Sequence, residues 1–172
     1  GEINCLIQKY VNDKEVEFRN CVIGIKNNKI VGYAEMSKIG SDQNGATWFG
    51  KIDRNRELFE FAKHLVKMFP FGTSIIEIES IKSKDLYYIY EINPRSPAWI
   101  FASCQLGLNI PNLILLKNSQ AKIKFVEEEG YFGRETKDFI RKDIDSFISN
   151  IKYHSKAAAY KSGDLKYPSE LL

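Results

Sequence analysis

Two pairs of alternating segments, each pair broken by a short polar run, constrain this chain most. "EVEFRNCVIGIKNNKIVGYAEM" turns at Asn27-Asn28, and "TSIIEIESI" meets "LYYIYEIN" across Lys82-Ser83-Lys84-Asp85. Period-two alternation on both sides of a tight turn specifies a β-hairpin. Asparagine suits the first tip because it tolerates the positive φ that a two-residue turn demands. Between the hairpins, "NRELFEFAKHLVKMF" places apolar side chains at 58, 61, 62, 65, 66 and 69, the stripe of an amphipathic helix. Pro70 and Gly72 end that helix.

Further along, "AWIFASCQLGLN" and "IPNLILL" read as short helices, the second with Pro111 near its start. "AKIKFVEEEGYFGR" reads as strand, turn, strand, and a helix is expected within "KDIDSFISNIKYHSKAAAYKSG". "CLIQKYV" reads as a strand or linker leading to a turn at Asn12-Asp13-Lys14. Hairpins with interspersed helices and no βαβ alternation specify an α+β fold: a mostly antiparallel sheet with flanking helices. A length of 172 residues suffices for a real core in one domain or two small ones.

Charge narrows the partners. The 25 basic and 22 acidic residues are spread along the chain, so neither a nucleic-acid nor a membrane partner is expected. Cys5, Cys21 and Cys104 lie unclustered on apolar stretches and read as reduced core cysteines of a cytoplasmic protein. His64 and His154 read as structural. The chain lacks an initiator methionine and is apolar by residue 5, so a leading portion is expected before it.

The second hairpin ends in unusual strand material: Glu91, Asn93 and Arg95 close "YYIYEINPR". Glu77 and Glu79 share a strand face. A three-residue loop, Ser83-Lys84-Asp85, would pair Glu91 with Glu77 and set it diagonal to Glu79. An even loop would send Glu91 to the opposite face. The first register gathers like charges, which is unfavourable unless a cation lies between them. Carboxylates and an amide oxygen are hard ligands suited to Mg²⁺, and Arg95 offers a donor fork for phosphate or carboxylate. A solvated sheet face is the competing reading.

This closing strand resembles that of ATP-grasp enzymes, a hydrophobic strand ending in Glu-x-Asn-x-Arg. Glu79 precedes Glu91 by twelve positions, similar to the spacing of the metal carboxylates in biotin carboxylase. The resemblance implies that Glu79, Glu91 and Asn93 hold Mg²⁺ (or Mn²⁺) against ATP phosphates, with Arg95 on the transferring phosphate or acyl-phosphate. "QKYVNDKE" resembles the family's hinge. By that likeness the backbone of Lys9, Tyr10 and Val11 reads adenine, Gln8 flanks the base, and Glu15 accepts from ribose hydroxyls. Lys38 stands where such enzymes carry a basic phosphate contact. "NPR-x-PAW" and the tryptophan of "NGATWFG" are similar to members like the carbamoyl-phosphate synthase large chain, and Trp48 and Trp99 are candidate pocket residues.

The resemblance runs from about residue 5 to about residue 150, leaving 151–172 as a tail. It covers the C-terminal lobe and hinge only, and a Gly-rich phosphate loop is not found. It implies the nucleotide- and Mg-binding half of a carboxylate–amine ligase working through an acyl-phosphate, weak in binding and without turnover alone. The alternative is a non-catalytic nucleotide-binding or interaction module. Strand edges left bare by missing lobes make a homodimer a further expectation. The carboxylate and amine substrates are not legible.

Overall fold

The computed structural model describes residues 5–13, 15–41, 47–115 and 122–133. They belong to a unit spanning Gly1–Arg134; a second, Glu135–Leu172, lies outside the described residues, with the helix expected there, His154 and the boundary expected near 150. The elements run β1 (Val16–Lys26), β2 (Lys29–Ser41), β3 (Thr47–Asp53), α1 (Phe59–Met68), β4 (Ser74–Ser83), β5 (Leu86–Asn93), α2 (Ile100–Gln105), α3 (Ile110–Leu115), β6 (Lys124–Phe125) and β7 (Gly130–Gly133). The sheet order is β5-β4-β1-β2-β3-β7, with β6 pairing parallel to β2 and the other pairs antiparallel. This is the α+β, largely antiparallel architecture expected of the hairpins.

The first hairpin turns where the asparagines stand. Asn27 and Asn28 have φ of +50° and +59°, and Lys26 pairs with Lys29 across them. Asn28 also donates its backbone N–H to the Gly72 carbonyl at 2.8 Å, and its Oδ1 accepts the Gly72 N–H. The hairpin tip is thereby tied to the turn that ends α1.

β1 is central and buried on both faces from Arg19 to Ile25. On one face Cys21, Ile23 and Ile25 pack with Ile76, Ile78 and the α1 residues Ala62, Leu65 and Val66. On the other, Val22, Ala34, Met36 and Ile52 pack with Trp99, Leu108 and Ile110. α3 lies so close to β1 that a Cβ on Gly24 would sit 2.6 Å from the Ile110 Cγ2. Only a residue without a side chain allows that approach.

Beyond α1, the first face carries a buried ionic network. Arg19 on β1 donates to Glu35 on β2 at 2.7 Å, to both oxygens of Asp53 on β3 at 3.2 Å, and to Glu17 at 2.9 Å. Glu35 turns its other oxygen to the Tyr33 hydroxyl and to the Leu58 N–H, 3.2 Å away. Helix α1 has no local side-chain cap, so a carboxylate from the sheet serves its first turn instead. Glu17 is partly buried, which would raise its pKa, but hydrogen bonds from Arg19 and Ser37 hold it below its ordinary value.

Several expectations are corrected. For "CLIQKYV", read as strand or linker, the structure decides for the linker: residues 5–11 run without regular structure, and Leu6, Ile7 and Tyr10 are exposed. Cys5 is exposed and Cys104 only half-buried, leaving Cys21 as the core cysteine. The helix begins at Phe59, and Phe61 and Phe69 of its stripe remain partly exposed. The two strands read in "AKIKFVEEEGYFGR" are present as β6 and β7, which join β2 and β3 separately.

Gly24→Ala should cost about 1–3 kcal/mol in chemical denaturation, because β-branched Ile110 cannot yield without moving α3. Arg19→Met should cost about 3–5 kcal/mol at neutral pH, since Glu35 and Asp53 stay buried without their cation. The lowered pKa of Glu17 adds stability that is present above its ordinary value of 4.5 and lost as pH falls through the lowered one. A pH series of unfolding curves should therefore show a flatter acid limb for Glu17→Gln than for the parent.

Candidate functional site

Helices α2 and α3 cover only part of their sheet face. The remainder is an open groove of about 620 Å³, lined by Phe18, Ile39 and Ile81 and by Lys38, Glu79, Tyr90, Glu91 and Arg95. Strand alternation explains the set: Phe18 pairs with Lys38 on one side and Ile81 on the other, and Asn20 pairs with Glu79. These positions share the face of Val22 and Ala34, two and four residues past the helical cover.

The β4–β5 register is neither of the two alternatives. The loop is two residues, Lys84-Asp85, so Ser83 pairs with Leu86 and Ser80 with Ile89. Continued regularly, that even loop would have set Glu91 on the far face. The register instead shifts between Glu79 and Ser80: Tyr90 is an extra residue, and Glu79 pairs directly with Glu91 and Glu77 with Asn93. A β-bulge thus restores both carboxylates to one face.

Glu79 is the most heavily bonded group in the groove. Its Oε2 accepts from Tyr90 Oη at 2.8 Å, Asn20 Nδ2 at 3.2 Å and Lys38 Nζ at 3.3 Å. Its Oε1 accepts from Asn93 Nδ2 at 3.0 Å. Asn93 spends its amide N–H on Glu79, which leaves its carbonyl oxygen as an acceptor. Glu91 is exposed beside them. Lys38, whose Nζ also lies 5.9 Å from the Phe18 ring centroid, is almost buried. Burial, then the adjacent Glu79, raises the Tyr90 hydroxyl's pKa far above its ordinary value, so it stays a donor.

Glu77 belongs to the groove's wall. It accepts from buried Trp99 Nε1 at 2.8 Å, more distantly from Asn20, and lies 3.5 Å from Arg95 Nη1. Burial, with the charge of Glu79 added, raises its pKa. Trp99 is therefore core, and Trp48 packs against Gly40 and Phe49 rather than lining the groove. Arg95 is exposed, and its guanidinium lies 3.5 Å from Glu77 and donates to the Ser96 carbonyl at 3.3 Å.

Glu79, Glu91, Arg95 and Lys38 thus meet in one groove, with Asn93 bonded to Glu79. Gln8, Lys9, Tyr10, Val11 and Glu15 do not line it. Their segment runs outside β5, where Gln8 Nε2 donates to the Tyr90 carbonyl at 2.9 Å and Lys9 Nζ lies 6.0 Å from the Tyr88 ring centroid. Tyr10 and Glu15 are exposed, and the Glu15 N–H points to Asp13 Oδ1 at 3.5 Å. Sequence reasoning missed Tyr90 and Asn20; a tyrosine next to a site carboxylate was the one available signal for the first.

Two carboxylates and a carboxamide oxygen fit a small hard cation. Among the described residues no three His, Cys, Asp or Glu side chains gather as a metal cage. Any ion here would need oxygens from its own ligand or water. Lys38 and Arg95 place positive charge in the same groove. The site can therefore take a ligand that brings both poles, an anion already chelated to a cation. Among the described residues no helix is long and apolar enough to cross a membrane.

No protein-family model matches the chain, and no curated protein sequence matches it. Among solved structures it is similar to a complete multifunctional pyruvate carboxylase from Rhizobium etli, with 15% identity over 49% of this chain and a TM-score of 0.39. It is also similar to a single-chain, multi-domain long-chain acyl-CoA carboxylase, with 13% identity over 60% of this chain and a TM-score of 0.41. The chain spans only 9% and 12% of those two proteins. Likeness at this level carries no weight for function, which rests on the residues of the groove.

Proposed function

We propose that this chain is the nucleotide- and Mg-binding half of an ATP-grasp ligase that joins a carboxylate to an amine through an acyl-phosphate. The observation that carries the reading is the direct pairing of Glu79 with Glu91 in an open groove that also holds Lys38 and Arg95. Glu79 Oε1, Glu91 and the Asn93 carbonyl are the oxygens that would hold Mg²⁺ (or Mn²⁺). Bound there, the ion would neutralise phosphate charge during transfer. Lys38 would lean from Glu79 toward a phosphate, and Arg95, loosely held, would address the phosphoryl group or the acyl-phosphate.

The apolar floor of Phe18, Ile39 and Ile81 suits the uncharged part of a nucleotide. Gln8 holds the Tyr90 carbonyl beside this site, and the backbone of Lys9 to Val11 would read an adenine edge. Glu77, committed to Trp99 and Arg95, has a wall-building role. The substrates, any homodimer and the activity of a longer protein belong to the same proposal.

ATP titration with and without Mg²⁺ is the deciding measurement. Glu91→Gln, at an exposed position, should fold normally and lose the Mg-dependent part of ATP affinity, about tenfold, as expected for one charged ligand. In full-length protein it should also abolish ATP consumption; undiminished turnover would remove the metal assignment. Glu77→Gln should leave the Mg-dependence in place. Nucleotide binding without ATP consumption in the parent would favour the non-catalytic module.

A further inference from the structure

We propose that Tyr90 is a positioning residue that sets which divalent ion the groove accepts, by closing one oxygen of Glu79. The inference rests on the metal assignment above and adds a selectivity to it. An ionised carboxylate has about four lone-pair sites over two oxygens. Three donors crowd Oε2 of Glu79, the Tyr90 hydroxyl at 2.8 Å, Asn20 at 3.2 Å and Lys38 at 3.3 Å. Among the described residues, Asn93 at 3.0 Å is the donor to Oε1. Glu79 can therefore offer a cation one oxygen. Ca²⁺ takes six to eight oxygens and uses bidentate carboxylates readily; Mg²⁺ takes six, near-octahedral, and few of them from protein. A carboxylate confined to one oxygen favours the smaller ion.

Tyr90 holds this position because it is the bulged residue. It has no partner in the β4–β5 pairing, and the Gln8 side chain fixes its carbonyl at 2.9 Å. The extra residue therefore does two things: it returns Glu91 to the shared face and delivers a hydroxyl to the outer oxygen of Glu79. With ligand bound, Lys38 would lean to the phosphate and leave the Tyr90 hydroxyl and Asn20 on the two lone-pair sites of Oε2; removing the hydroxyl then frees one of them, and with it a two-oxygen mode for Glu79.

The test loads full-length protein with Mn²⁺ and a non-hydrolysable ATP analogue. Mg²⁺ or Ca²⁺ then displaces the Mn²⁺, with free Mn²⁺ followed by electron paramagnetic resonance. Tyr90→Phe keeps the ring and should lower the preference for Mg²⁺ over Ca²⁺ on the order of tenfold, as expected for one part-buried hydrogen bond to a charged group. Asn20→Ala, which strips the other donor from the same oxygen, should move the ratio the same way and decides the matter should the Phe variant fail to fold. An unchanged ratio in folded variants overturns the role of Tyr90 and leaves the metal site standing. Wild-type protein that holds no Mn²⁺ beyond that bound by the analogue overturns both.

Discussion

One extra residue in one strand decides which side chains share the groove. A two-residue turn fixes the parity of a hairpin, and here it would have placed Glu91 and Glu79 on opposite faces of the sheet. The bulge at Tyr90 reverses that parity for the last residues of β5. Everything in the groove depends on the reversal: the paired carboxylates, the diagonal bond from Asn93 to Glu79, and the approach of the Tyr90 hydroxyl. Two like charges set opposite one another oppose sheet formation. The sheet accepts them because Lys38, Asn20, Tyr90 and Asn93 all donate to Glu79, while Glu91 keeps its own charge in solvent.

The groove exists because two short helices cover only part of the sheet. α3 sits down on Gly24 and Gly32, where absent side chains let it approach. Trp99 closes the border by donating to buried Glu77. Past that line the face turns polar, and no described helix covers it. The opposite face is built for rigidity. Arg19, Glu35 and Asp53 join three adjacent strands, and Glu35 fastens the first turn of α1 to the sheet. Breaking such a network is costly because it leaves charges without water or partner. The two faces thus divide the work, one holding the strands in register and the other leaving donors and acceptors open.

Much of this was legible. Asn27-Asn28 announced its turn because positive φ is a local property of those residues. The stripe through Ala62, Leu65 and Val66 announced α1, and Glu91, Asn93 and Arg95 stood out as poor strand material. The misreadings have physical reasons. "CLIQKYV" left strand and linker both open, and it runs as a linker because β5 offers it side-chain contacts rather than a ladder. Cys5 is apolar in pattern and exposed in fact, because burial depends on what covers a segment. Trp48 and Trp99 could not be placed from sequence, since a tryptophan serves wall and pocket equally well.

The sequence by itself determined the strands of the two hairpins, the first hairpin turn, the amphipathic helix and the residue types able to bind a cation and an anion, but not β3, whose tryptophan stretch reads as loop. Those are properties of neighbours along the chain, governed by periods of two and 3.6. Tertiary structure alone decided that Glu79 faces Glu91, that Tyr90 bonds to Glu79 and that Glu77 lies under Trp99. Bulges and helix cover arise from pairings between residues distant in sequence, and a shift of one residue exchanges the two faces of a strand.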